Sequence, residues 1–247
     1  METITRKSLL YKSGIGVLCI NPVQGCSHGC RYPCYAFMMA KSYNRTASYE
    51  DWCAPKLVAN AAELLKKELA HKKALPDTIH LCLSTDPFMT DYPKVIALSL
   101  ELIAIINSFG IRCSILTKGK LPAELADATR FLANNLYGIS LISLNEEFRH
   151  QWEPGTTSYA ERIAALKHLH ESGLQTRVHI EPYPTPNLIQ QDLNEILKTV
   201  GFVDQLFFGS WNYNNIIKQY PNPSQFYSEQ TAIAQRFCRE RGIDYNA

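Results

Sequence analysis

Six short runs of β-branched and apolar residues recur along the chain, and each is followed by a stretch whose apolar residues lie three and four apart. The runs fall at 15–20, 78–84, 111–117, 137–143, 175–181 and 203–209. Helical spacing occupies 56–73, 93–109, 122–135, 158–172, 188–200 and 223–241. Pro93 suits the first position of its helix, and Gly110, Gly173 and Gly201 stand where glycine closes one. Such alternation predicts parallel strands joined by right-handed crossovers. The 247 residues suffice for one substantial core. An α/β chain of six βα units, forming a single domain over 1–247, is expected.

The loops after these strands are rich in polar residues and proline. They read Ser84-Thr85-Asp86-Pro87, Thr117-Lys118-Gly119, Ser143-Leu144-Asn145-Glu146, Glu181-Pro182-Tyr183-Pro184 and Gly209-Ser210-Trp211-Asn212. All follow the C-terminal ends of strands, where parallel α/β folds place their sites. Taken singly, each loop is explained by turn chemistry. Together they suggest one shared mouth.

A loop after the first strand, "GCSHGCRYPCYAF", brings Cys26, Cys30 and Cys34 to that mouth. The N-terminus lacks an apolar signal region and no run approaches the length of a membrane span, so a reducing, cytoplasmic setting with no membrane partner is expected. There, clustered cysteines favour metal or catalysis over disulfides. Zinc wants four tight ligands, commonly in two close pairs, and no second pair is present. His28 sits awkwardly between two of the thiols. Cys53 remains open as a late ligand, whereas Cys19, Cys82 and Cys113 read as small buried apolar residues. A [4Fe-4S] cluster suits three thiolates with one iron left open, and Gly25 and Gly29 let the backbone wrap closely. A non-catalytic zinc module stays as the alternative.

NPVQGCSHGCRYPCYA resembles the cluster loop of radical S-adenosylmethionine (SAM) enzymes, most closely the spore photoproduct lyase-like branch. Ser84-Thr85-Asp86-Pro87, Thr117-Lys118, and Glu153-Pro154 with Arg162 extend the resemblance over roughly residues 20–185. One departure stands out: the common C-x3-C-x2-C spacing is here C-x3-C-x3-C, because Pro33 separates Tyr32 from Cys34. Proline fixes its own φ and biases the preceding residue toward an extended shape, so the extra length reads as a rigid bulge.

The resemblance implies a partial (β/α)6 barrel. It also implies that Cys26, Cys30 and Cys34 ligate the cluster, and that SAM bound at the open iron is cleaved to a 5′-deoxyadenosyl radical. On the same ground Tyr32 or Tyr35 packs on the adenine, with plain core packing as the alternative. Ser84, Thr85 and Asp86 hold the methionyl ammonium, and Lys118 the carboxylate. Ser143 and Asn145 suit ribose hydroxyls, and Arg162 either holds the carboxylate or braces Glu146. His28 braces the loop. An electron donor such as flavodoxin or ferredoxin is implied as a partner.

For the substrate, Glu181, Tyr183, Trp211, Asn212 and Tyr213 combine a carboxylate, amides and aromatic faces suited to a planar heterocycle. Ordinary packing would use the same residues. Glu181 and Asp86 are the candidates for reading a guanine-like edge during catalysis. The net charge of +2 and 19% charged content leave no strong basic surface. The densest basic stretch, 66–73, reads as a solvated helix face. Nucleic acid is therefore disfavoured, and no second cysteine motif or appended domain is evident. A small substrate inside the barrel is favoured. Size and unusual cysteine spacing are similar to those of queuine lyases, which implies a modified 7-deazaguanine base. The runner-up is a photoproduct lyase or RNA-modifying enzyme.

Overall fold

The computed structural model describes residues 1–246. Its strands are β1 (Thr3–Ile4), β2 (Leu10–Lys12), β3 (Leu18–Ile20), β4 (Val23–Gln24), β5 (Lys56–Val58), β6 (Thr78–Leu81), β7 (Arg112–Thr117), β8 (Leu136–Ser140), β9 (Gln175–Tyr183), β10 (Gln205–Ser210) and β11 (Asp244–Asn246). Its helices are α1 (Tyr35–Ser42), α2 (Tyr49–Cys53), α3 (Ala61–Ala70), α4 (Pro93–Ser108), α5 (Glu146–Trp152), α6 (Tyr159–Glu171), α7 (Leu193–Thr199) and α8 (Pro223–Arg241).

Eight strands form one sheet in the order β11-β10-β9-β8-β7-β6-β3-β2. Every pair from β3 to β11 is parallel, and β2 runs antiparallel to β3 at the edge. All six expected strands are present and adjacent as the alternation requires. Pro93 opens α4, Ser158 caps α6 by accepting from the Glu161 N–H, and Asp192 caps α7. Gly110 and Gly173 follow α4 and α6 with φ of 74° and 80°, the left-handed conformation that ends helices.

Successive side chains of a strand face opposite sides of the sheet. Ile79, Leu81, Cys113, Ile115, Ile139, Val178, Ile180 and Leu206 are buried in the core, where α4 and α6 pack on the sheet. His80, Ser114, Ser140, Arg177, His179 and Phe207 take the other face and line a cavity of about 960 Å³. That cavity touches side chains of β6 to β10 and Val17 before β3, so the sheet wraps around it as an open barrel.

Three stretches expected as helix fold otherwise. Of 188–200, only Leu193–Thr199 is helical. Lys56–Val58 is a strand that pairs with β1 and β4 in a small separate sheet, so the helix begins only at Ala61. Residues 122–135 form one 3₁₀ turn, Ala123–Ala126. Asp127 then accepts from the Thr129 N–H and hydroxyl, at 2.9 and 2.6 Å. This side-chain turn competes with helix propagation. Helices α1, α2 and α5 were not anticipated; α1 and α2 contribute Tyr35, Ala36 and Trp52 to the cavity lining, and α5 holds the cysteine loop through the Trp152 carbonyl.

Candidate active site

The cysteine loop is pinned on two sides. The Cys26 N–H donates to the Trp52 carbonyl (2.9 Å), and the Tyr49 hydroxyl donates to the Cys30 carbonyl (2.8 Å). On the other side the Arg31 N–H donates to the Trp152 carbonyl (2.8 Å), and the Gly155 N–H to the His28 carbonyl (2.9 Å). Gly25 sits at φ 89°, where an added Cβ would stand 2.5 Å from the Trp52 carbonyl oxygen. Close approach of loop and helix there requires glycine. His28 braces the loop as expected: its Nδ1 contacts the Gly155 carbonyl at 3.1 Å and its Nε2 lies 3.0 Å from Asp86 Oδ2.

Cys26, Cys30 and Cys34 all line the cavity. Burial pushes the Cys26 thiol well above its ordinary range, and Asp86 and the other two cysteines push the same way. Cys30 is pushed up to about 12, first by burial and then by Glu153. Clustered buried thiols of this kind become thiolates only with a cationic group among them. Among the described residues, no three His, Cys, Asp or Glu side chains converge as on a single ion. A cube of irons takes each thiolate on a different iron, and thiols sharing one cavity without converging fit that. Cys19 and Cys113 are buried in strands β3 and β7, as expected; Cys82 is buried too, but it follows the end of β6 at φ 63° and borders the cavity.

Beneath the loop lies a buried charged centre. Glu153, fully buried, accepts from the Tyr32 hydroxyl (2.9 Å), Lys118 Nζ (2.9 Å) and Arg162 Nη2 (3.1 Å). Burial would raise its carboxyl, but Lys118 and Arg162 override this and hold it at about 2. Arg162 is also fully buried and donates to the Ser140 and Thr157 carbonyls at 2.9 and 2.8 Å. It therefore does not brace Glu146, which pairs with Arg149 instead. It is also not among the cavity-lining residues. The reading of Tyr32 as an adenine contact meets the same centre: its ring is buried edge-on against Trp211, with centroids 5.2 Å apart.

The remaining candidates separate into two groups. Ser84, Thr85, Asp86, Lys118, Tyr35, Glu181, Trp211, Asn212 and Tyr213 line the cavity with the cysteines. Ser84 accepts from Asn21 Nδ2 at 2.9 Å. Asp86 accepts from Thr117 Oγ1 (2.6 Å) and the Lys118 N–H (2.8 Å), so its carboxylate is already engaged by the protein. Burial raises the carboxyl of Glu181. Trp211 Nε1 is buried with no partner of its own. Three candidates lie elsewhere. Asn145 caps α5 by accepting from the Phe148 N–H (2.9 Å), and Ser143 accepts from the Asn145 N–H (3.0 Å). Tyr183 packs outward against Phe208 and Phe226.

Two residues that sequence reasoning missed shape the lumen. A Cβ on Gly209 would stand 2.7 to 2.8 Å from the Glu181 carboxyl group, and one on Gly138 would stand 2.6 Å from Arg177 Cγ. Their sequence signal is a glycine inside a strand, which marks a close approach.

The family model of the radical SAM superfamily matches residues 20–200. The chain belongs to the radical SAM superfamily. Membership brings a [4Fe-4S] cluster and SAM as cofactors, and this decides the choice between cluster and zinc module. The superfamily's fold is also that of spore photoproduct lyase, one variant of which was solved with AdoMet and dinucleoside spore photoproduct. That structure is 16% identical, with a TM-score of 0.69, covering 98% of this chain and 80% of that one. An uncharacterized protein of Methanocaldococcus jannaschii, MJ0683, is 27% identical over 222 residues, 87% of this chain and 80% of that protein. An uncharacterized protein of Mycobacterium tuberculosis, Rv2578c, is 28% identical over 169 residues; the match spans 66% of this chain and about half, 48%, of that protein. Among the described residues, no helix is long and apolar enough to cross a membrane.

Proposed function

We propose that this radical SAM enzyme acts on a small substrate enclosed in the barrel, a modified 7-deazaguanine base, cleaving the exocyclic C–N bond of queuine to release preQ1. The observation that carries the reading is the continuity of one cavity of about 960 Å³ from the three cysteines to Glu181 and Asn212. This is the upper end of the range for small-molecule pockets, wide enough for cofactor and substrate together.

Cys26, Cys30 and Cys34 would hold the cluster, which with SAM supplies a 5′-deoxyadenosyl radical for hydrogen abstraction. The chain's own residues then bind and orient. Glu181 offers a carboxylate to the N–H edge of the base, Asn212 adds polar groups beside it, and Trp211 walls that end of the cavity. Ser84, Thr85 and Lys118 face the cofactor end. The Glu153 centre fixes the loop and excludes water beneath it. An electron donor of flavodoxin or ferredoxin type belongs to this reading, as does a cytoplasmic setting, which suits the eight free cysteines.

Anaerobic incubation of reconstituted protein with SAM and dithionite tests it. Formation of 5′-deoxyadenosine together with preQ1 from queuine is expected, and queuine left intact while SAM is cleaved removes the substrate assignment. A second reading, action on a nucleic-acid photoproduct, draws support from the fold shared with spore photoproduct lyase. Salt-sensitive DNA binding would favour it.

A further inference from the structure

Among the described residues, the lower half of the barrel lumen, away from the cysteine loop, is cationic and no carboxylate lines it. Arg112 stands at the start of β7 and Arg177 near the start of β9, both lining the cavity with His80 and His179. Arg112 Nε donates to Thr78 Oγ1 at 2.7 Å. Arg177 reaches the Ile115 carbonyl only at 3.4 Å, and its Nε is buried without a partner. Among the described residues, no ion pair to a carboxylate involves either arginine. By register, Asp244 on β11 is two strands from Arg177, and it too forms no ion pair.

The fold makes room for this charge. The Arg177 side chain lies across Gly138, where any Cβ would collide with its Cγ and Nε at 2.6 and 2.9 Å. Burial and the neighbouring Arg112 lower the Arg177 guanidinium to about 10. Burial first, then Arg177, pushes His179 down to about 3 and His80 to about 4, so the imidazoles stay neutral beside it. A half-buried, poorly partnered cation adds a desolvation cost to folding, and such groups concentrate where a ligand completes them.

We propose that Arg177, assisted by Arg112, binds an anionic group, a carboxylate or phosphate, of the molecule held in the barrel. Arg177 and Glu181 lie on the same face of β9 four residues apart, about 13 Å along the strand. The ligand is therefore bipolar: a hydrogen-bond-donating head at Glu181 near the cluster, and an anionic tail at Arg177. A nucleotide has this form, whereas free queuine has no anion to offer. The proposal rests on the reading that a small ligand fills the barrel, and it extends that reading from the free base to an acidic derivative of it.

The test is binding to the cluster-reconstituted protein, read by calorimetry and thermal shift without turnover. Guanosine 5′-monophosphate is compared with guanosine, and phosphate or acetate with chloride at equal ionic strength. The monophosphate is expected to bind at least tenfold tighter than guanosine, and Arg177→Gln to abolish that difference. A rise in Tm with phosphate alone identifies a phosphate tail, and a rise with acetate a carboxylate. Ligand-free Arg177→Gln is expected to melt at or above the wild-type temperature, because it removes a charge the fold leaves unbalanced. Equal binding of guanosine and its monophosphate, an undiminished preference in Arg177→Gln, or a lowered ligand-free Tm would each overturn the proposal. Failure to cleave queuine would leave these binding results untouched, so the two readings fall separately.

Discussion

Tyr32 donates its hydroxyl to Glu153 Oε1 across 2.9 Å, tying the irregular stretch of the cysteine loop to the buried charges of Lys118 and Arg162. Tyr32 is the residue immediately before the inserted Pro33. Turned inward and packed on Trp211, it absorbs the extra length in the core. Tyr32→Phe keeps the ring and removes one donor from a buried carboxylate. Chemical denaturation is expected to show a loss of about 1–3 kcal/mol. An unchanged midpoint would mean that the bond does not anchor the loop.

Glu153 balances two buried cations. In Glu153→Gln, Lys118 and Arg162 lose their carboxylate, and breaking such a pair costs about 3–5 kcal/mol. The pH dependence follows from the direction of the shift. The carboxyl is held at about 2 in the fold against its ordinary 4.5. Its contribution is therefore complete above pH 4.5 and is lost as pH falls from 4.5 toward 2. Urea unfolding across that window is expected to steepen for the wild type relative to Glu153→Gln. Parallel curves would assign acid sensitivity to other carboxylates.

The strand order was legible because parallel strands packed under helices expose their apolar periodicity directly. Its limits have physical causes. Lys56–Val58 continues a helical apolar pattern in sequence, but long-range pairing with Thr3–Ile4 and Val23–Gln24 makes it a strand. Residues 122–135 lose their helix to the turn at Asp127. The cysteines and most polar loops were readable from residue type alone, yet the loop of Ser143 and Asn145 does not reach the cavity, and Tyr183 shares its loop with Glu181 while facing away. The polar lumen was visible and overlooked: His80, Arg177 and His179 alternate with Ile79, Val178 and Ile180, and only the apolar half was read. The partner of Arg162 was not readable, since Glu146 and Glu153 are both nearby in sequence and only packing chooses between them.

Deleting Pro33 restores the commoner cysteine spacing and should nevertheless do harm. Tyr32 is fixed on Glu153 and Cys34 stands at the N-terminus of α1. Removing one residue between them shortens the reach by about 3.5 Å. Iron and labile sulfide after reconstitution are expected to fall below the wild-type level, and Tm to drop. Cys34→Ala, expected to lose the cluster if Cys34 is a ligand, serves as the reference. Full iron loading with an unchanged Tm in the deletion would show that Pro33 is a neutral bulge.

Gly209 gives Glu181 its place. A Cβ there would stand 2.7 Å from the carboxyl carbon and 2.8 Å from Oε1. Because the obstructed group is the end of a flexible side chain, Gly209→Ala is expected to change stability by less than about 1 kcal/mol. The carboxylate must nevertheless move, and a displacement of this size at a positioning group costs roughly 100-fold in turnover. If Glu181 orients the substrate, 5′-deoxyadenosine will still form in Gly209→Ala while product falls, so the ratio of the two rises. Glu181→Gln should uncouple the reaction in the same way with Gly209 intact. Product formation that tracks 5′-deoxyadenosine in both variants would remove Glu181 from the substrate site and leave Gly209 as a matter of packing alone.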